Sequence, residues 1–317
     1  MSTSSSGPNQ PRRAFGLPRA QDRIEQDVSA EFRFHMEERS EQFVAQGMTR
    51  EQAQAEVTRR FGNYQAHLQS TRDIDRGNYP HFLLKEITEA PRSFHKTLRA
   101  KITEVRGKLR AQLDDTALPV SVRERLRAGH LRQIVVIGQG TAAVAGQAAT
   151  AAFEACLRGS GVHVRATPAT ELSGFALRED MRDTLVVAIS QSGTTTDTNR
   201  TVDLVRQRGA PVLAIVNRRG SDLCDKADGV LFTSDGRDVE MSVASTKAFY
   251  AQVAAGFLLA LAVARECGVA DDAAEDSILR GLRALPDAMR KVLAQSEAIA
   301  AVARRHVTRR RYWALVG

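Results

Sequence analysis

At 317 residues the chain exceeds one ordinary domain, so about two domains and a sizeable core are expected. Charged residues at 26% and apolar residues at 43% are globular proportions and exclude a fibre. Lysine and arginine number 45 against 37 acids, but the bases are spread along the chain without aromatic interleaving, so nucleic acid is not the expected partner. Cys156, Cys224 and Cys267 are an odd set with no CxxC or Cys/His spacing, which points to a reducing cytoplasm without a structural metal; no cofactor is expected.

Residues 1–20, rich in Ser, Pro and Gln, read as a disordered tail with no apolar signal core. From Asp22 to Gln46, Ile24, Val28, Phe32, Met36, Phe43 and Val44 recur at helical spacing, and Gly47 stands where a left-handed C-cap belongs. Thr49 and Gln52 form a capping box for a second helix, with Ala53, Val57 and Phe61 on one face. Residues 21–75 therefore read as a helical hairpin. It could be half of a DNA-reading helix-turn-helix, but EQAQAEVTRRF mixes acids with bases, which favours packing or docking on a protein. The text EFRFHMEERSEQFVAQGMTREQAQAEVTRRFGN resembles the prefix segment of some bacterial ABC-type permeases, which implies a cytoplasmic partner-binding module; no membrane location is carried across.

Residues 81–128 read as a lead-in helix carrying Phe82, Leu83, Ile87, Phe94 and Leu98, then a charged connector. In residues 129–268 the period changes. Gln133–Gly138, Thr184–Ile189 and Pro211–Asn217 are short continuous apolar runs, the pattern of strands buried on both faces, and Val162–Ala166 and Val230–Thr233 are further strands. Helices at about 143–158 and 196–207 alternate with them. The expected fold is α/β: a doubly wound, flavodoxin-like parallel sheet of five strands, preceded by the α-helical hairpin, with ligands beyond the carboxyl ends of its strands. Ala248–Ala264, AFYAQVAAGFLLALAVA, is close to the minimum for a membrane span but contains Gln252, and reads as a buried core helix.

The loop Ser190-Gln-Ser-Gly-Thr-Thr-Thr-Asp-Thr198 lies at such a carboxyl end, directly before a helix. Helix N-termini present unpaired N–H groups, Gly193 admits close backbone approach, and Ser190, Ser192, Thr194 and Thr195 add hydroxyl donors, a set suited to a phosphate. A helix cap at Thr195 or Thr196 would explain one hydroxyl and leave the rest unexplained. A serine nucleophile would need an imidazole, and neither His130 nor His163 is spaced to reach the loop. A second loop, Gly138-Gln-Gly-Thr-Ala142, starts like a dinucleotide fingerprint and then lacks its third glycine. Both loops are expected to converge on one anion pocket.

With Glu240-Met-Ser-Val-Ala-Ser-Thr-Lys-Ala-Phe249, these loops resemble the sugar isomerase (SIS) fold, specifically the isomerase half of the glucosamine-6-phosphate synthase family, the isomerizing glutamine:fructose-6-phosphate transaminases. The likeness runs from about residue 81 to 317. It implies that Ser190, Gln191, Ser192 and Thr195 ring a phosphate with Thr141 beside them, and that Val243 and Ser245 contact the sugar. Without the resemblance, Ser245 or Thr246 reads as an N-cap of the apolar helix. Ala142 stands where the family has serine, and Ser242 where it has glycine.

The family's glutaminase half has no counterpart here, and residues 269–317 read as a helical segment and the first strand, Arg311-Tyr-Trp-Ala-Leu-Val-Gly317, of an incomplete second SIS repeat. The expectation is a truncated chain to which no catalytic residue is assigned, binding fructose 6-phosphate or glucosamine 6-phosphate, forming a homodimer, and not active alone. The alternative is a non-enzymatic sensor of sugar phosphate whose hairpin contacts a partner.

Overall fold

Runs of Val and Ile can be buried on both faces only where helices cover both sides of a parallel sheet, and the computed structural model has that arrangement. It describes residues 37, 40, 41, 43–45, 47–61, 78–236, 238, 240, 245–307, 309 and 310. The expected tail, most of the first hairpin helix and the expected strand at 311–317 lie outside them. The chain divides into two units, Met1–Ile74 and Asp75–Gly317.

In the first unit, Gly47 has φ 98°, and the Met48 N–H donates to the Phe43 carbonyl (3.1 Å), the left-handed turn that ends a helix. Helix α1 (Arg50–Phe61) then opens on the capping box: the Thr49 N–H donates to Gln52 Oε1 (3.1 Å), and the Gln52 N–H donates to Thr49 Oγ1 (3.3 Å). Phe43, Ala53 and Val57 bury one another.

The second unit begins with helix α2 (Phe82–Leu98), a hairpin of β1 (Ile102–Val105) and β2 (Lys108–Ala111), and α3 (Val120–Arg127). The hairpin replaces the expected charged connector. Its turn residues Arg106 and Gly107 both have positive φ, the backbone of a two-residue turn matched to strand twist. The alternation is hard to read in sequence because only Leu109 and Ala111 of β2 are fully buried.

The main sheet comprises β3 (Gln133–Gly138), β4 (His163–Pro168), β5 (Thr184–Ser190), β6 (Val212–Val216) and β7 (Gly229–Phe232). All pairings are parallel, in the order β4-β3-β5-β6-β7. The central strands β5 and β6 are buried at every position, while the edge strands β4 and β7 alternate, which is why their boundaries are softer in the sequence.

One face, with Ile134, Val136, Val187, Ile189 and Ile215, packs on α4 (Thr141–Cys156) and α8 (Lys247–Glu266). The other, with Val135, Ile137, Val186, Ala188 and Ala214, packs on α5 (Ala169–Phe175), α6 (Thr196–Gln207) and α7 (Asp222–Lys226). The outer side of α8 is covered by α2, the hairpin and α9 (Asp272–Leu293), with Phe94, Leu98, Leu109, Leu258 and Leu279 between them; α10 (Ser296–Val307) follows. Being enclosed on both sides, α8 must be apolar all round. Among the described residues it is the one helix long and apolar enough to cross a membrane, and 78% of its apolar window is buried within the protein.

The start of α9 is built from carboxylates. Asp271 caps it, accepting from the N–H groups of Ala273 (2.8 Å) and Ala274 (3.2 Å). Asp272 accepts from Arg265 (3.0 Å), and Asp276 accepts from Arg280 (2.9 Å) and the Leu109 N–H (2.8 Å). Each bond favours the charged form, and all three groups titrate below the ordinary carboxylate range. A carboxyl depressed in the fold adds stability in full above its unfolded pKa, near 4, and loses it as pH falls through the lower folded value. The melting temperature should therefore fall as pH drops from about 5 to 2.5, with amide exchange at Leu109 rising relative to the central strands. A melting temperature that is flat over this range contradicts the assignment.

Candidate functional site

In a doubly wound sheet, neighbouring strands whose connections leave in opposite directions open a crevice at their carboxyl ends. Here those strands are β3, which leads to β4 on one side, and β5 on the other. A cavity of about 220 Å³ occupies this crevice. Gln139, Thr141 and Ala142 line it from the β3–α4 loop, Ile189, Ser190, Gln191, Ser192 and Thr195 from the β5–α6 loop, and Glu240, Ser245 and Gln252 from the third side.

The structure thus gathers six of the seven expected residues, Thr141, Ser190, Gln191, Ser192, Thr195 and Ser245, around one space. The seventh, Val243, lies outside the described residues, as does Ser242.

The β5–α6 loop is held by its own hydrogen bonds. Gly193, at φ 70°, turns the chain; its N–H donates to Ser190 Oγ (3.0 Å), and its carbonyl accepts from the Leu223 N–H (3.1 Å) and Asn199 Nδ2 (3.0 Å). Asn199 also donates to the Thr195 carbonyl (3.1 Å), and the Gln191 carbonyl accepts from the Asn217 N–H (3.2 Å). Ser190 Oγ lies 3.3 Å from Thr195 Oγ1, and Ser192 Oγ accepts from the N–H (3.2 Å) and hydroxyl (3.0 Å) of Thr194. Thr195 is the N-cap of α6 but makes no side-chain capping bond among the described residues, so the single-cap account of this loop fails at Thr195. The brace Asn199 was not visible in the sequence; the only signal was an amide four residues past the N-cap.

The β3–α4 loop approaches as closely. Gly140, the N-cap of α4, has φ 57° and ψ −129°, and a Cβ on Gly138 would come within 2.8 Å of the Ala142 carbonyl carbon. Two helix N-termini, those of α4 and α6, therefore open on the cavity.

The third terminus, that of α8, is occupied. Glu240 accepts from Ser245 Oγ (3.0 Å), the Thr246 N–H (2.6 Å) and Thr246 Oγ1 (2.9 Å). The cap of the apolar helix is thus the Glu240 carboxylate rather than Ser245 or Thr246, and the carboxylate's charge is offset by the helix end it closes. Lys247 is turned away into an ion pair with Glu89 (2.6 Å). Among the described residues no lysine or arginine lines the cavity, which leaves N–H groups and hydroxyls as its anion-binding equipment.

A larger cavity, about 490 Å³, opens at the amino-terminal edge of the sheet among Arg125, His130, Arg132, Arg178, Asp180, Arg182 and Asp183. Its charges are mostly spent on one another. Arg178 pairs with Asp183, and Arg182 with Asp180 (2.7 Å), whose pKa is pushed down to about 2 by the Arg182 hydrogen bonds. His130 lines this cavity and His163 begins β4, so both imidazoles weighed as bases stand at the end of the sheet opposite the hydroxyl loop.

The family described as the SIS domain matches residues 130–262, and that part of the chain belongs to it. Those residues contain the whole sheet and both loops. The curated glutamine-fructose-6-phosphate aminotransferase (isomerizing) of Symbiobacterium thermophilum is 38% identical over 227 residues, 71% of this chain and 35% of that protein. Its namesake in Bacteroides thetaiotaomicron is 32% identical over 229 residues, 72% of this chain and 35% of its own length. The chain thus spans about a third of the length of these relatives. Among solved structures, the C-terminal domain of glucosamine-fructose-6-phosphate aminotransferase from Francisella tularensis superposes with a TM-score of 0.59 at 25% identity, covering 72% of this chain and 60% of that one.

Proposed function

We propose that the cavity binds a hexose 6-phosphate, fructose 6-phosphate or glucosamine 6-phosphate, in a cytoplasmic protein. The phosphate sits at the N-terminus of α6 among Ser190, Gln191, Ser192 and Thr195, with Thr141 opposite, and the sugar extends toward Val243 and Ser245. The observation that carries this reading is the convergence of two helix N-termini and the hydroxyl loop on one cavity whose described lining includes no lysine or arginine. The names of the similar aminotransferases support the choice of ester. Binding, rather than turnover, is the role proposed: no acid–base pair is assigned in the cavity, whose one described carboxylate is engaged as a helix cap.

Calorimetric titration with glucosamine 6-phosphate tests the reading. Ser192→Ala removes one hydroxyl facing the phosphate. A charge-assisted hydrogen bond contributes about 1.5–3 kcal/mol, so affinity should fall by at least about tenfold. Equal affinities in the two proteins, or no binding by either, would sink the proposal.

A further inference from the structure

Gln252 is the single uncharged polar side chain in the apolar helix α8 with a carboxamide, and it is not there for solvent: the residue is 1% exposed. Its Oε1 is buried with no hydrogen-bond partner among the described residues, although the side chain lines the cavity. Gln139, on the opposite loop, lines the same cavity and likewise has a buried Oε1 without a partner. Unpaired buried acceptors are uncommon in folded proteins, and two in one cavity call for a shared explanation. A phosphate oxygen cannot supply it, because acceptor would face acceptor; a hydroxyl or amino group of a ligand can.

We infer that Gln252, with Gln139 across the cavity, is a specificity-determining residue that accepts a hydrogen bond from a hydroxyl or amino group on the carbon skeleton of the ligand. The cavity thereby selects polyhydroxylated phosphate esters over inorganic phosphate and over alkyl phosphates of equal length. This rests on the phosphate-binding reading above and adds to it what the rest of the ligand must carry. A site built to pair with a ligand hydroxyl rejects the analogue lacking it, because the buried acceptor is then stranded.

The test titrates the full chain with inorganic phosphate, hexyl phosphate and glucosamine 6-phosphate, then repeats the series on Gln252→Met, which keeps the length and removes the acceptor. Wild type should bind the sugar phosphate at least about tenfold more tightly than hexyl phosphate. In Gln252→Met the sugar phosphate should weaken about tenfold, while inorganic phosphate and hexyl phosphate stay within about twofold. Unchanged affinity for the sugar phosphate overturns the inference. So does equal weakening of all three ligands, which would mean that the amide N–H serves the phosphate or that the substitution damages the loop. Should the variant not fold, the wild-type arm still decides: hexyl phosphate binding as tightly as the sugar phosphate removes the inference while leaving phosphate binding intact. Wild type binding neither inorganic phosphate nor the sugar phosphate removes the site itself.

Discussion

Gly193→Ala should cost the protein both the geometry of its hydroxyl loop and about 2–5 kcal/mol of stability. Two independent penalties meet at this residue. The backbone is left-handed, φ 70°, where an L side chain is strained by about 1–2 kcal/mol. A Cβ would also stand 2.0 Å from Ser221 Oγ, 2.6 Å from Ser221 Cβ and 3.0 Å from Val216 Cγ2, an overpacking worth about 1–3 kcal/mol. The chain can relieve the collision only by moving Gly193, and with it go the bonds to Ser190, Asn199 and Leu223 that fix the loop. Affinity for glucosamine 6-phosphate should drop by about a hundredfold or more. Gly159→Ala separates the two penalties: its φ is 83°, but nothing lies within 4 Å of the added Cβ, so it should lose only the backbone part. Ser221→Gly on the Gly193→Ala background removes the colliding side chain and should recover part of the loss. Equal melting temperatures for Gly193→Ala and Gly159→Ala would show that the loop has room to spare.

The sheet is legible in the sequence because burial on two faces leaves only Val, Ile, Leu and Ala at Ile134–Ile137, Leu185–Ile189 and Val212–Val216, and no helix period produces such short unbroken runs. The hydroxyl loop is legible for a related reason. A cluster of hydroxyl side chains where a buried strand gives way to a helix N-terminus is more than one cap requires, and three of them, Ser190, Ser192 and Thr195, line the crevice. The β1–β2 hairpin is not legible, since its pairing depends on two amides bonded to α9, some 165 residues away, and not on its own alternation. Glu240 shows the same limit: its place at the head of the Glu240–Phe249 stretch carries no sign that its carboxylate caps α8, which only the fold reveals. Gln252 left a trace, a lone amide in an apolar run, but its meaning required knowing that α8 borders the crevice.

The second large effect is expected far from the crevice, at Glu275. This carboxylate is 2% exposed and joins three elements: Oε1 accepts the Ala111 N–H of β2 (2.7 Å), and Oε2 pairs with Arg265 near the end of α8. Arg265 also reaches Asp272 (3.0 Å), which pairs with Arg110 (2.7 Å), so the hairpin, α8 and α9 share one alternating chain of charges. Glu275→Ala would strand a buried amide and leave Arg265 with the more exposed of its two partners. Arg265 is one-third exposed and keeps Asp272, so the main loss is the unsatisfied Ala111 N–H, about 1–3 kcal/mol, with the weakened ion pair added to it. Glu275→Gln keeps an oxygen for Ala111 and removes only the charge, so it should fall between Ala and wild type. Urea unfolding measures both, and the order wild type, Gln, Ala is the expected result. The outer layer that Glu275 ties down, the hairpin and α9, contributes no described residue to the crevice lining, so ligand affinity should survive below the melting range. A Glu275→Ala protein within about 1 kcal/mol of wild type would mean that the hairpin is held by Leu109 and Ala111 packing alone, and that the charge chain follows from that packing and does not cause it.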